Sequence, residues 1–170
     1  ANIPKGAVAF SSSSFDAKWT TALQDDRLAA ELAILWHTVS GNYFSVLQLP
    51  LLFGAADWQH GVMINQTLAK LLNPTAPEKT IGSQINLGLA GPQPVVGIVA
   101  ALPHHGNSQT TMPTAYLHVQ SNPLLQSSAQ QWEFYFANHQ AAQIEKALKR
   151  WLSSQLQDAQ FKPLTSLAAV

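Results

Sequence analysis

Three histidines, His104, His105 and His118, fall in the stretch 101–119, ALPHHGNSQTTMPTAYLHV. Imidazole is the commonest metal ligand and a frequent general base. His104 and His105 are neighbours, and neighbours in extended chain point to opposite faces, so a shared metal requires a bent loop. Together with His118 they form the candidate metal site. Their spacing matches no short zinc signature. Against a site stands a simpler expectation, a polar hairpin loop that leads into a strand.

His118 also carries a catalytic hypothesis. On alternation it shares a strand face with Tyr116, and in the segment 131–137 Glu133 and Tyr135 share a face in the same way. If those two strands pair, His118 and Glu133 stand side by side. An imidazole beside a carboxylate acts as a general base or a ligand. His118 and Glu133 are therefore the candidate catalytic pair, with Tyr116 and Tyr135 as polar binding groups. Other chemistries lack a motif. There is no Gly-x-Ser-x-Gly elbow and no phosphate-binding glycine loop. The absence of cysteine excludes disulfides, thiol catalysis and iron–sulfur clusters. No cofactor is assigned.

The stretch 43-YFSVLQLPLLF-53 is apolar for a loop, and Pro50 argues against regular structure through it. Such a segment is packed down, closes over an apolar cavity, or meets another molecule. Tyr43, Phe44, Leu51, Leu52 and Phe53 are its candidate binding residues. The occupants it suits are a protein partner, a second copy of the chain, or a small apolar ligand. Composition favours the first two. Only 11% of the 170 residues are charged, and nine basic residues balance nine acidic ones. That surface as a whole has no electrostatic footprint for nucleic acid or for anionic lipid. It also offers little charge repulsion against association.

The elements that must position these residues follow from periodicity. Leu28, Leu32, Leu35, Trp36 and Val39 recur at helical spacing and predict a helix over about 15–40. Ile64, Leu68, Leu71 and Leu72 predict a second helix over about 57–72. After the connector 74–80 the period changes to alternation. Strands are expected around Ile85–Leu89, 95–102, 114–120 and 131–137. Ile144, Leu148, Trp151, Leu152 and Leu156 predict a long amphipathic helix over about 139–157, capped by Asn138. Lys146, Lys149 and Arg150 on it read as a solvated face, with Glu145 four residues before Lys149; contact with an acidic partner is the alternative.

The expected fold is thus α+β: two N-terminal helices, a roughly four-stranded antiparallel meander, and the long C-terminal amphipathic helix packed on the sheet. A single globular domain is expected over 1–170, with 1–14 an extended arm and 162–170 a tail. No apolar run reaches the roughly 20 residues of a transmembrane helix. The compartment stays open between cytoplasm and export after signal cleavage. The expected function is a soluble, non-catalytic binding or protein-interaction module working through the apolar loop. The alternative is a small enzyme or metal-binding protein with a His/Glu/Tyr site on the sheet face.

Overall fold

The structure, a computed structural model, describes residues 8–11, 20–55, 58–88, 91–102, 111–119, 133–136 and 141–155. Nine strands dominate them: β1 (Val8–Ser11), β2 (Thr20–Leu23), β3 (Leu32–Val39), β4 (Leu51–Gly54), β5 (Val62–Asn65), β6 (Gln84–Asn86), β7 (Pro92–Val99), β8 (Thr114–His118) and β9 (Glu133–Phe136). Three α-helices accompany them: α1 (Tyr43–Val46), α2 (Gln66–Leu72) and α3 (Ala141–Gln155), with a 3-10 turn at Pro77–Thr80.

The strands form a mixed sheet in the order β4-β7-β5-β8-β3-β1-β9, with β2 also on β3 and β6 also on β7. Two pairings are parallel, β3 with β8 and β5 with β7. The α+β expectation of two leading helices and a four-stranded antiparallel meander is therefore wrong. Of the expected helices, only the long C-terminal one stands where periodicity put it; the four expected strands are present as β6, β7, β8 and β9, but in a sheet of different order.

The reason is burial on both faces. Leu28, Leu32, Leu35, Trp36 and Val39 fit a helical stripe, but Ile34, His37 and Thr38, which a helix would turn away from that stripe, are buried as well. Residues 32–39 instead alternate. Leu32, Ile34 and Trp36 pack into one core, built around Ile64, Leu68, Ile98 and Leu117. Val39 enters the other, with Tyr43, Phe44, Trp58, Met63, Tyr116 and Tyr135. A strand covered on both faces reads as a near-continuous apolar run, and period alone does not separate it from a helix.

The expected second helix divides in two. Val62, Met63, Ile64 and Asn65 are all buried and form β5. The chain turns helical only after Asn65, whose backbone is extended and whose side chain caps α2 by accepting from the Leu68 N–H at 2.9 Å. The same oxygen accepts from the Thr114 N–H at 3.1 Å, and the side-chain amide donates to the Met112 carbonyl at 2.7 Å. One residue thus starts a helix and anchors the entry to β8.

The apolar loop is not irregular throughout. Tyr43–Val46 forms a single helical turn, and Leu51–Gly54 pairs antiparallel with β7. Pro50 lies just before β4, where its missing N–H costs no ladder bond. Gly54 closes this strand at φ +99°, and a Cβ there would stand 2.3 Å from the Val96 carbonyl oxygen. The strand turns on glycine because no side chain fits between it and β7.

Candidate functional site

The three tyrosines of the chain arrive from three elements: Tyr43 from α1, Tyr116 from β8 and Tyr135 from β9. All are buried in one core layer. The Tyr43 ring meets Tyr135 edge-on, with centroids 5.4 Å apart, and lies 5.9 Å from Tyr116. His37 of β3 stacks on Tyr116 at 5.7 Å. Phe44 abuts both Tyr116 and Trp58, and Trp58 in turn meets His118 at 5.2 Å. Edge-on and offset ring contacts of this sort add to area burial.

The turn between β3 and α1 seats the layer. The Ser40 hydroxyl donates to Asn42 Oδ1 at 2.8 Å, and Asn42 Nδ2 donates to the Val8 carbonyl at 2.9 Å. Gly41 passes so close to His118 that a Cβ would lie 2.8 Å from Nε2. Any side chain at position 41 would have to displace the imidazole.

Polar groups in this layer are held rather than presented. The Tyr135 hydroxyl donates to Glu133 Oε2 at 2.6 Å. Burial pushes the phenols of Tyr43 and Tyr135 well above the ordinary range; Tyr116 and the Glu133 carboxylate add to this at Tyr43 while its hydrogen bond with Tyr135 opposes it, and Tyr43 and Glu133 add to it at Tyr135. Burial also raises Tyr116. Near neutral pH all three are hydrogen-bonding hydroxyls inside a core.

The structure brings Tyr43, Phe44, Tyr116 and Tyr135 together, and sets Glu133 on Tyr135. It does not pair the strands of His118 and Glu133. β8 lies between β5 and β3, while β9 lies on β1. The expected side-by-side alignment is corrected by that strand order. All five residues of β8 are buried, because β8 is central and covered on both faces. His104 and His105 lie outside the described residues. Among the described residues, no group of three or more His, Asp or Glu is placed to hold a metal ion. Sequence reasoning missed His37 and Trp58. The alternation of β3 and β8 would have placed His37 beside Tyr116 had their parallel pairing been foreseen; nothing near Trp58 marked it.

Leu51, Leu52 and Phe53 sit apart from this layer, on β4. The strand ends the sheet, and among the described residues no other strand pairs with its outer edge. Leu51 is 38% exposed and Phe53 44%. The register with β7 shifts between Leu51 and Phe53.

No family model matches the chain, and no curated protein matches it in sequence. Solved structures do match the fold. The periplasmic region of MacB from Actinobacillus actinomycetemcomitans superposes with a TM-score of 0.60 at 16% identity, over 87% of this chain and 66% of that one. The extracellular domain of the noncanonic ABC-type transporter YknZ from Gram-positive bacteria gives 0.59 at 13% identity, over 89% and 76%. A domain of a putative permease protein from Porphyromonas gingivalis gives 0.55 at 13% identity, over 86% and 63%. The chain spans just under two thirds of the first and third of these chains and about three quarters of the second. At such identities the likeness is one of fold. No helix among the described residues is long and apolar enough to cross a membrane.

Proposed function

We propose that this chain is a non-catalytic interaction domain, working outside the membrane as part of a transporter-type assembly, and that it meets a protein partner or its own copy along β4. The observation that carries the proposal is the apolar edge strand with Leu51 and Phe53 open to solvent. An exposed edge offers unpaired backbone groups for strand addition, and its alternate side chains supply contacts. The fold likeness supports the setting, since the matched structures include the periplasmic region of MacB, the extracellular domain of an ABC-type transporter and a domain of a putative permease. The near-neutral, sparsely charged surface supports close association.

The tyrosine layer supports an architectural role for the residues first considered for catalysis. Its hydroxyls are buried and its rings interlock, so a reacting molecule would have to displace core packing. His118→Ala separates the possibilities: an interaction domain keeps its companion, whereas a metal or acid–base site loses bound metal or activity.

The direct test changes the edge. A chain with Leu51→Ser and Phe53→Ser is expected to keep its fold and lose the protein, or the second copy, that purifies with the wild type. Retention of the same companion at the same ratio overturns the assignment of the contact to β4.

A further inference from the structure

Helix α3 carries an apolar stripe that leaves the protein before it ends. Ile144 is 2% exposed, Ala147 and Leu148 are half-buried, and Trp151 is 56% exposed. Ile144, Leu148 and Trp151 follow one another at helical spacing, so the same stripe is covered at its start and open one to two turns later. Among the described residues, Trp151 is the most exposed of the large apolar side chains.

The polar side of α3 is basic. Lys146, Lys149 and Arg150 stand against one acidic residue, Glu145, so the helix carries a formal +2, which the rest of a chain of zero net charge balances with −2. Lys149 is engaged with Glu145 at 2.6 Å. Lys146 and Arg150 are exposed and lie about 40° apart in helical projection, with Trp151 about 100° beyond Arg150. The open end of α3 therefore combines an amphipathic indole with two solvent-facing cations. Indole rings favour the boundary between apolar and aqueous phases. Cations on long stems reach the headgroup level from the flanks of a helix lying there.

We infer that the distal half of α3 is a membrane-contacting face, in which Trp151 enters the interface of an anionic lipid surface and Lys146 and Arg150 bind its headgroups. Charge complementarity selects that occupant. A second copy would bring the same positive helix, whereas an anionic bilayer supplies opposite charge over the whole face. The contact is independent of β4 and of any protein partner. It would fix how the domain stands relative to the membrane.

The test is flotation of the purified chain with vesicles of phosphatidylcholine containing 30% phosphatidylglycerol, against pure phosphatidylcholine. Partition is expected into the anionic vesicles and to weaken as salt is raised. Neutralising Lys146 and Arg150 together, as Lys146→Gln and Arg150→Gln, should weaken it by roughly 25-fold, about fivefold per charge. Trp151→Ala should weaken it further, and brominated lipid should quench fluorescence in the wild type more than in Trp151→Phe. The β4 variant Leu51→Ser, Phe53→Ser should partition like wild type, which separates this contact from the one proposed above. No partition into anionic vesicles, or equal partition of the neutralised chain, overturns the inference. So does a neutralised chain that binds vesicles normally but loses a companion protein, which would assign the face to an acidic protein.

Discussion

Asn65 holds three backbone groups with one side chain: the Leu68 and Thr114 N–H groups and the Met112 carbonyl. Replacing it with Ala removes an N-cap, worth about 1 kcal/mol. It also strips partners from a strand entry in the interior, at about 1–3 kcal/mol for each buried group left unsatisfied. Asn65→Ala is expected to cost about 3 kcal/mol in urea unfolding, and a loss below about 1 kcal/mol would show that water replaces the side chain. Gly54→Ala should be harmful for a different reason. It meets both a left-handed backbone and the Val96 carbonyl, so a lower Tm is expected even though the change is one methyl group. At this scale the sequence was partly legible. Tyr116 and Tyr135 read from the sequence as polar binding groups, and the structure places both in the core. Glu133 reads as a partner for His118, and the structure sets it against the Tyr135 hydroxyl. His118 was aligned with Glu133 on the assumption that successive strands pair, and the parallel pairing of β8 with β3 removed that neighbour.

The aromatic layer belongs to the scale of elements, because α1, β3, β8 and β9 each contribute to it. Its phenols titrate above their unfolded values. The stability they confer is complete below about pH 10, the unfolded phenol pKa. It is lost as the pH rises above that value, since the unfolded chain then releases protons that the folded chain retains. Absorbance of phenolate is therefore expected to appear together with loss of secondary structure, in one cooperative alkaline transition. A phenol that ionises near pH 10 while the fold persists would contradict the burial of that residue. Elements were legible where one face of the chain is apolar and the other wet. α3 follows its stripe, and β6, with only Ile85 of its three residues buried, follows its alternation. Elements were misread where both faces are buried. β3 and β5 have apolar residues at nearly every position, so a helical stripe can always be drawn through them. Long-range strand pairing decides such segments, and local period carries no information about it.

For the molecule as a whole, the sheet order leaves β4 at one end, and α3 carries its own exposed tip. The two contacts proposed above differ in chemistry, an apolar strand edge for protein and a basic, indole-bearing helix end for lipid. Salt should distinguish them. The lipid contact weakens with ionic strength because headgroup charges are screened, while association through Leu51 and Phe53 should be nearly indifferent to it. The overall architecture was the least legible level. Four consecutive alternating segments read as a meander, yet β5 inserts between β7 and β8, and β1 and β9 close against each other from distant parts of the chain.

The proposal that β4 is the protein-binding edge is tested most directly by placing a photo-crosslinking p-benzoylphenylalanine at position 53 in the full chain in its own cells. Position 79, an exposed lysine in the 3-10 turn, serves as the control. A discrete adduct from position 53, absent from position 79 and abolished by Leu51→Ser, is the expected result. No adduct at position 53, or adducts of equal yield from both positions, would contradict the assignment of β4 as the contact.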